Sequence, residues 1–351
     1  MGNRKGSVAG LGQGMKSRPN SPSRRWVKHL IGFLITAICL IVFFKQVNFR
    51  EILDAFMNFQ WGYLVVGLIS LSFGYAMRIF RWSVLLQSAG AKAGFAVCSA
   101  PFLGSIALNN VLPLRLGDVV RALVFPNSMG VSRVAATSSL IMERLIDLIS
   151  LLSCFAIGLF AIHTVAVPSE LKSLAVTLSV FCGICLFLGF MFSEKLSRML
   201  GDLVKKNDSF TKLEIVCKTA AGLLDGFNSM SRPAILIRVM IMSVFVWLGE
   251  AGLFYFVLMG AGVESSLVIS MLVMSMATLS TLVPSSPGYV GPFHLAAFTA
   301  ISLVGGPAAQ AGSYAVIVHL SLWLPTTIAG LVAIWMRPEL FRIAKSQAVK
   351  R

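Results

Sequence analysis

The chain has 351 residues, 56% of them hydrophobic and only 13% charged, with a formal net charge of +16 and a mean hydropathy of +0.82. That composition places it among polytopic membrane proteins. The basic excess does not mark a nucleic-acid binder: lysines and arginines gather at the ends of apolar segments, and neither zinc-finger spacing nor a basic-aromatic stripe occurs.

Residues 1–28 carry seven basic side chains and no acid among Gly, Ser and Pro, which predicts a disordered basic tail. An apolar run over 30–44 predicts a first transmembrane helix, and a second span is expected over 56–77, ended by Arg78 and Arg81. With Trp82 these arginines read as an interfacial anchor. The uncharged stretch from Gly94 is interrupted by Asn109, Asn110 and Pro113, then by Arg115, Gly117, Asp118 and Arg121, where the three charges recur every third residue as on one helix. A re-entrant hairpin fits this better than a clean span; an interfacial loop is the alternative. The next span begins with Glu143, Arg144 and Asp147. Carboxylates just inside a membrane helix imply partners, for which Arg115 and Arg121 are candidates.

Another span is expected over 173–192, followed by a basic connection over 194–233 whose Leu196, Met199, Leu200 and Leu203 are spaced for a helix lying on the bilayer. It is too short for a soluble catalytic domain. The span over 234–259 holds Glu250 near its centre, open to three readings: a proton carrier, an ion pair with an arginine of the first break, or a hydrogen-bonded neutral acid. No Asp, Glu, Lys or Arg occurs between Glu264 and Arg337, yet Pro284, Pro287, Gly288, Gly291 and Pro292 interrupt this run ahead of His294. Those residues cannot sit in one continuous helix, so either a broken segment is buried in the bundle or a short loop joins two spans. A last helix is expected over 314–336 before a basic tail, 338–351. Basic ends at both termini predict a cytoplasmic-membrane protein with both termini inside, hence either eight crossings and one hairpin or six crossings and two. The six cysteines lie mostly within apolar segments, and the lone Cys182-x-x-Cys185 reads as packing. No metal or other cofactor is expected.

The order NNVLPLRLGDVVRA (109–122), ERLIDL (143–148) and PSSPGYVGPFHLAAF (284–298) resembles the lysylphosphatidylglycerol synthase transmembrane family over about residues 28–338. The resemblance implies a lipid-handling protein with re-entrant segments and a laterally accessible cavity. In that family the last motif commonly carries Gly-Gly and an acidic residue; Tyr289 and His294 stand there instead, against an acid-dependent role. No counterpart of the aminoacyl-transferase half is present, so lysine transfer to lipid is not expected.

The expected fold is thus an all-α polytopic bundle of about six to eight transmembrane helices with one or two re-entrant broken helices, spanning 29–337. The leading functional expectation is a flippase-like lipid translocase, or a lipid-carrier-binding protein, whose partners are anionic phospholipids or polyprenyl-phosphate lipids. Arg115, Arg121 and Arg144 would hold the phosphate, and Asp118, Glu143 and Asp147 would orient them. Asn110, Pro287, Gly288, Gly291 and His294 belong to the two broken segments, and Glu250 is the candidate for coupling. The alternatives are a lipid-directed glycosyl or aminoacyl transferase, perhaps with a soluble partner, and a non-catalytic scaffold. The oligomeric state is left open.

Overall fold

The computed structural model describes residues 23–47, 49–161, 211–263 and 265–340, with scattered positions between 173 and 199. Among the described residues all regular structure is helical: α1 (Ser23–Gln46), α2 (Phe49–Met57), α3 (Trp61–Ser88), α4 (Phe95–Val111), α5 (Leu116–Leu123), α6 (Pro126–Met129), α7 (Arg133–Ala161), α8 (Thr211–Met230), α9 (Pro233–Gly260), α10 (Leu267–Ser280), α11 (Pro292–Leu303) and α12 (Ala308–Met336). Four of these, α3, α7, α9 and α12, are long and apolar enough to cross a membrane. At 1.5 Å per residue each exceeds the roughly 30 Å hydrocarbon core.

Helices α3 and α9 pack along most of their lengths because small residues let their backbones meet. A Cβ on Gly249 would lie 2.6 Å from Gly74 Cα, and Ser70 Oγ donates to Gly249 O at 2.9 Å. The outer faces expose Ile69 and Phe73 on α3, Ile241 and Val244 on α9, and Ile328 and Leu331 on α12. Such stripes suit hydrocarbon, and the buried core lies between α3, α9, α10, α11 and α12.

Two helix–break–helix pairs enter this bundle. In the first, α4 ends at Val111, Leu112 is extended, and Leu114 and Arg115 adopt left-handed backbone at φ 60° and 53°, so that α5 folds back on α4. Gly117 permits this contact, since a Cβ there would stand 1.9 Å from Ser105 O. Asn109 clamps the turn: its Oδ1 accepts from the Asp118 N–H at 3.0 Å and its Nδ2 donates to Asp118 Oδ1 at 2.9 Å. In the second pair, α10 and α11 have 14 and 12 residues, each too short for a crossing, and are joined by a break with Gly288, Tyr289 and Gly291 at positive φ. Helix α1 braces it: Thr36 Oγ1 accepts from the Ser286 N–H at 2.9 Å. Among the described residues these two short helices form a second hairpin beside the first.

Several expected boundaries move. Helix α1 starts at Ser23, so residues 23–28 are helical rather than part of a disordered tail, while 1–22 lie outside the described residues. The second span runs to Ser88 instead of stopping at 77, because Arg78 and Arg81 find carboxylate partners inside the bundle. Within the expected connection 194–233, Thr211–Met230 forms α8 against α7, where Ser138 Oγ donates to Leu223 O at 3.0 Å. The expected span 173–192 and amphipathic stretch 196–203 lie largely outside the described residues.

Candidate functional site

A cavity of about 350 Å³ opens where α3, α4, α7, α9, α10, α11 and α12 meet. Its charged lining is Arg78, Arg115, Arg144, Asp147 and Glu250, three guanidiniums against two carboxylates. A second cavity of about 210 Å³ lies between the two broken segments, and Asn109, Arg115, Thr281, Leu282 and Tyr289 line both. Arg115 therefore sits at their junction.

The carboxylates are held by arginines from other helices. Glu250 Oε2 accepts from Arg78 Nη2 at 2.6 Å, and its Oε1 from Thr278 Oγ1 at 3.4 Å. Asp147 Oδ1 accepts from Arg81 Nη2 at 2.8 Å, while Arg81 Nη1 donates to Ser243 Oγ at 2.8 Å. Behind the cavity wall Arg121 donates to Glu143 at 2.9 Å and lies over the Phe102 and Trp82 rings. Arg144 spans 3.2 Å to Asp118 and 3.6 Å to Glu143. Buried charges of this kind persist only when paired, and each of these four carboxylates has an arginine.

Arg115 differs. Among the described residues it makes no ion pair: its Nη2 donates to Thr281 Oγ1 at 2.7 Å and Thr281 O at 3.3 Å, with the guanidinium 5.7 Å from the Tyr289 ring centre. The charge spacing had suggested one helix carrying Arg115, Asp118 and Arg121. The left-handed turn instead leaves Arg115 ahead of α5 and sends it across to the second break, away from Glu143 and Asp147.

The other expected site residues divide. Asn110 lines the cavity and donates to Thr327 Oγ1 at 2.9 Å on α12; Pro287 and Gly288 line the second cavity. Arg121, Glu143, Asp118, Gly291 and His294 line neither. Arg121 is buried behind the wall, paired through Nη2 with Glu143, and reaches neither cavity. Gly291 packs on α1, where a Cβ would stand 2.9 Å from Thr36 O. His294 Nδ1 accepts from the Gly291 N–H at 3.4 Å, and its ring meets His319 at 4.5 Å.

Arg78, expected as an interfacial anchor, instead pairs with Glu250, so that acid is matched from α3 and not from the first break. Tyr75, Trp247, His319 and Trp323 on the wall were not foreseen. His319 Nε2 donates to Gly288 O at 2.8 Å and so ties α12 to the second break. A signal for Arg78 existed: it precedes Arg81 by three residues, one helical turn, within a stretch that no Gly or Pro ends before Gly90.

Residues 29–330 match the family model of the lysylphosphatidylglycerol synthase TM region. The chain belongs to that family. Among relatives of this synthase-TM-family protein, a UPF0104 membrane protein of Methanothermobacter thermautotrophicus is 22% identical over 333 residues, covering 91% of this chain and 97% of the relative. Glycosyltransferase AglD of Haloferax volcanii is 24% identical over 327 residues, covering 83% of this chain but about half, 51%, of AglD. The family's motif order, seen in the sequence, corresponds here to the first hairpin, the charged head of α7 and the second hairpin around one cavity.

Proposed function

We propose that this protein binds an anionic, phosphate-bearing membrane lipid by its headgroup and translocates it. The observation that carries the reading is Arg115: a guanidinium on the wall of both cavities, held by neutral groups and matched by no carboxylate among the described residues. A cation so placed is stabilised by an incoming phosphate, whose oxygens fit the guanidinium fork. Arg144, partly open to the cavity, is the second candidate ligand, oriented by Asp118. The second cavity, bordered by exposed Leu114, Leu282 and Val283, is the route by which a lipid headgroup reaches Arg115 while its chains stay in hydrocarbon. The Arg78–Glu250 pair is the group whose rearrangement would couple binding to a change of access. Membership of a lipid-synthase transmembrane family supports a lipid cargo.

The test is headgroup binding and translocation in proteoliposomes. Arg115→Gln should weaken binding of a phosphate-bearing lipid by roughly 10- to 100-fold, the range for a lost charge-assisted hydrogen bond. Unchanged binding and translocation would remove the basis of the reading. A second reading has one observation in its favour: AglD, named a glycosyltransferase, extends well beyond the half that this chain matches. On that reading the cavity presents a lipid carrier to a transferase partner, and binding would persist without translocation.

A further inference from the structure

Resting on the anionic-lipid reading above, we infer that Thr281 is a built-in competitor for Arg115. It holds the guanidinium until a phosphate grips Arg115 at two points, and that grip releases the tie between the two hairpins. Arg115 reaches out of the first hairpin and Thr281 out of the second. Arg115 Nη2 carries two hydrogens and makes two bonds there, to Thr281 Oγ1 at 2.7 Å and to Thr281 O at 3.3 Å. Both acceptors suit a cation. The Thr281 hydroxyl gives its one hydrogen to Thr278 O at 2.7 Å, so Oγ1 meets Arg115 with lone pairs only. The Thr281 carbonyl follows the last residue of α10, where a helix leaves its C=O groups without intrahelical partners and its dipole is negative. Helix α10 has no basic residue in its own last turn, and Arg115 brings the positive charge from the other hairpin. The helix end thus does for Arg115 what a carboxylate does for the other arginines.

Guanidinium geometry sets this hold against a phosphate. Two parallel N–H groups can meet a phosphate on either of two faces, Nε with Nη2 or Nη1 with Nη2. Nη2 belongs to both. While Thr281 occupies it, a phosphate reaches Nε or Nη1 singly, and to be gripped by the fork it must displace Thr281. The displacement has a mechanical consequence. Leu114 and Leu282, the chain neighbours of Arg115 and Thr281, are each 59% exposed and line the second cavity. On the other side both hairpins are tied to α12, where Asn110 donates to Thr327 Oγ1 at 2.9 Å and His319 to Gly288 O at 2.8 Å. Releasing Arg115 therefore lets the hairpins part at the mouth of the lipid route while both stay seated on α12. A ligand shifts such an equilibrium only by binding its two forms differently. The fork is complete in one form alone, and that supplies the difference.

The full chain, purified in detergent, is titrated by native mass spectrometry with phosphatidylglycerol and with phosphatidic acid of the same acyl chains. Thr281→Val removes Oγ1 and keeps the carbonyl. It should tighten binding of these lipids by about fivefold, part of the worth of a charge-assisted hydrogen bond. Thr281→Ser, which restores the hydroxyl, should bind as the parent does. A residue that merely braces Arg115 gives the opposite sign. Binding by Thr281→Val that is equal to or weaker than the parent's therefore overturns the inference, and the anionic-lipid reading stands if Arg115→Gln still weakens binding. A second measurement needs no variant and decides the matter should Thr281→Val fail to fold. Hydrogen exchange of the parent's backbone amides over residues 282–291 should quicken by about threefold on saturation with lipid, as the second break comes loose. Unchanged or slower exchange there overturns the inference. Binding of neither lipid, or binding indifferent to Arg115→Gln, overturns the anionic-lipid reading and the inference together.

Discussion

Arg121 and Glu143 each expose about 1% of their side chains, face each other at 2.9 Å, and line neither cavity. Breaking a buried pair by removing one partner strands a charge and typically costs about 3–5 kcal/mol, whereas replacing both by apolar side chains is often neutral. Arg121→Leu should therefore lower the unfolding midpoint in detergent sharply, and Arg121→Leu with Glu143→Leu should recover most of the loss while retaining lipid binding. A single variant as stable as the parent would show that the pair is not sealed. Part of this was legible beforehand. Glu143 and Asp147, set into an apolar run, demanded cationic partners, and Arg121 is one of them. Arg78 and Arg81 were obscured for a physical reason: on hydropathy alone an arginine ends a span, and only Asp147 and Glu250, 66 and 172 residues away, make its burial tolerable. Arg115 was misplaced because a spacing of three implies one helix face only while the backbone stays right-handed, and at φ 53° it does not.

At the scale of elements, prolines and glycines within uncharged runs located both breaks, since each removes a donor or frees the backbone where a helix would otherwise continue. The helix bracing the second break was not legible. Nothing in residues 30–44 marks Gly32 and Thr36 as the groups that meet Ser285 and Gly291. Two glycines make that contact testable. Gly291 has φ 95° and its Cβ would stand 2.9 Å from Thr36 O, whereas Gly305 has φ 83° with open space around it. Gly305→Ala should cost only the left-handed backbone penalty, about 1–2 kcal/mol. Gly291→Ala adds a backbone clash between α1 and α11 and should cost at least about 2 kcal/mol more, in the range of overpacked sites. Equal losses in thermal unfolding would mean that α1 is not seated on the break.

For the whole molecule, the packing of α3 against α9 fixes which ends share a membrane face. Gln60 donates its N–H to Gly260 O at 2.9 Å, so the start of α3 and the end of α9 lie together. The end of α3 then belongs with the start of α9. The same end gathers Lys92 after α3, Arg133 opening α7, Arg232 before α9 and Arg337 after α12, where Ile334 lies against Gly104 of α4. No lysine or arginine occurs at Gln60 or from Met259 to Val263. The positive-inside rule predicts that the basic end faces the cytoplasm. Lys92→Cys and Gln60→Cys, both at exposed positions in a background without other cysteines, report on the two ends separately. In intact cells a membrane-impermeant maleimide should label Gln60→Cys and not Lys92→Cys, with both labelled once the membrane is opened. The reverse pattern would invert the protein and place the basic end outside. Labelling of both in intact cells would mean that α3 does not cross, which would undo the bundle arrangement on which the cavity and its lipid route depend.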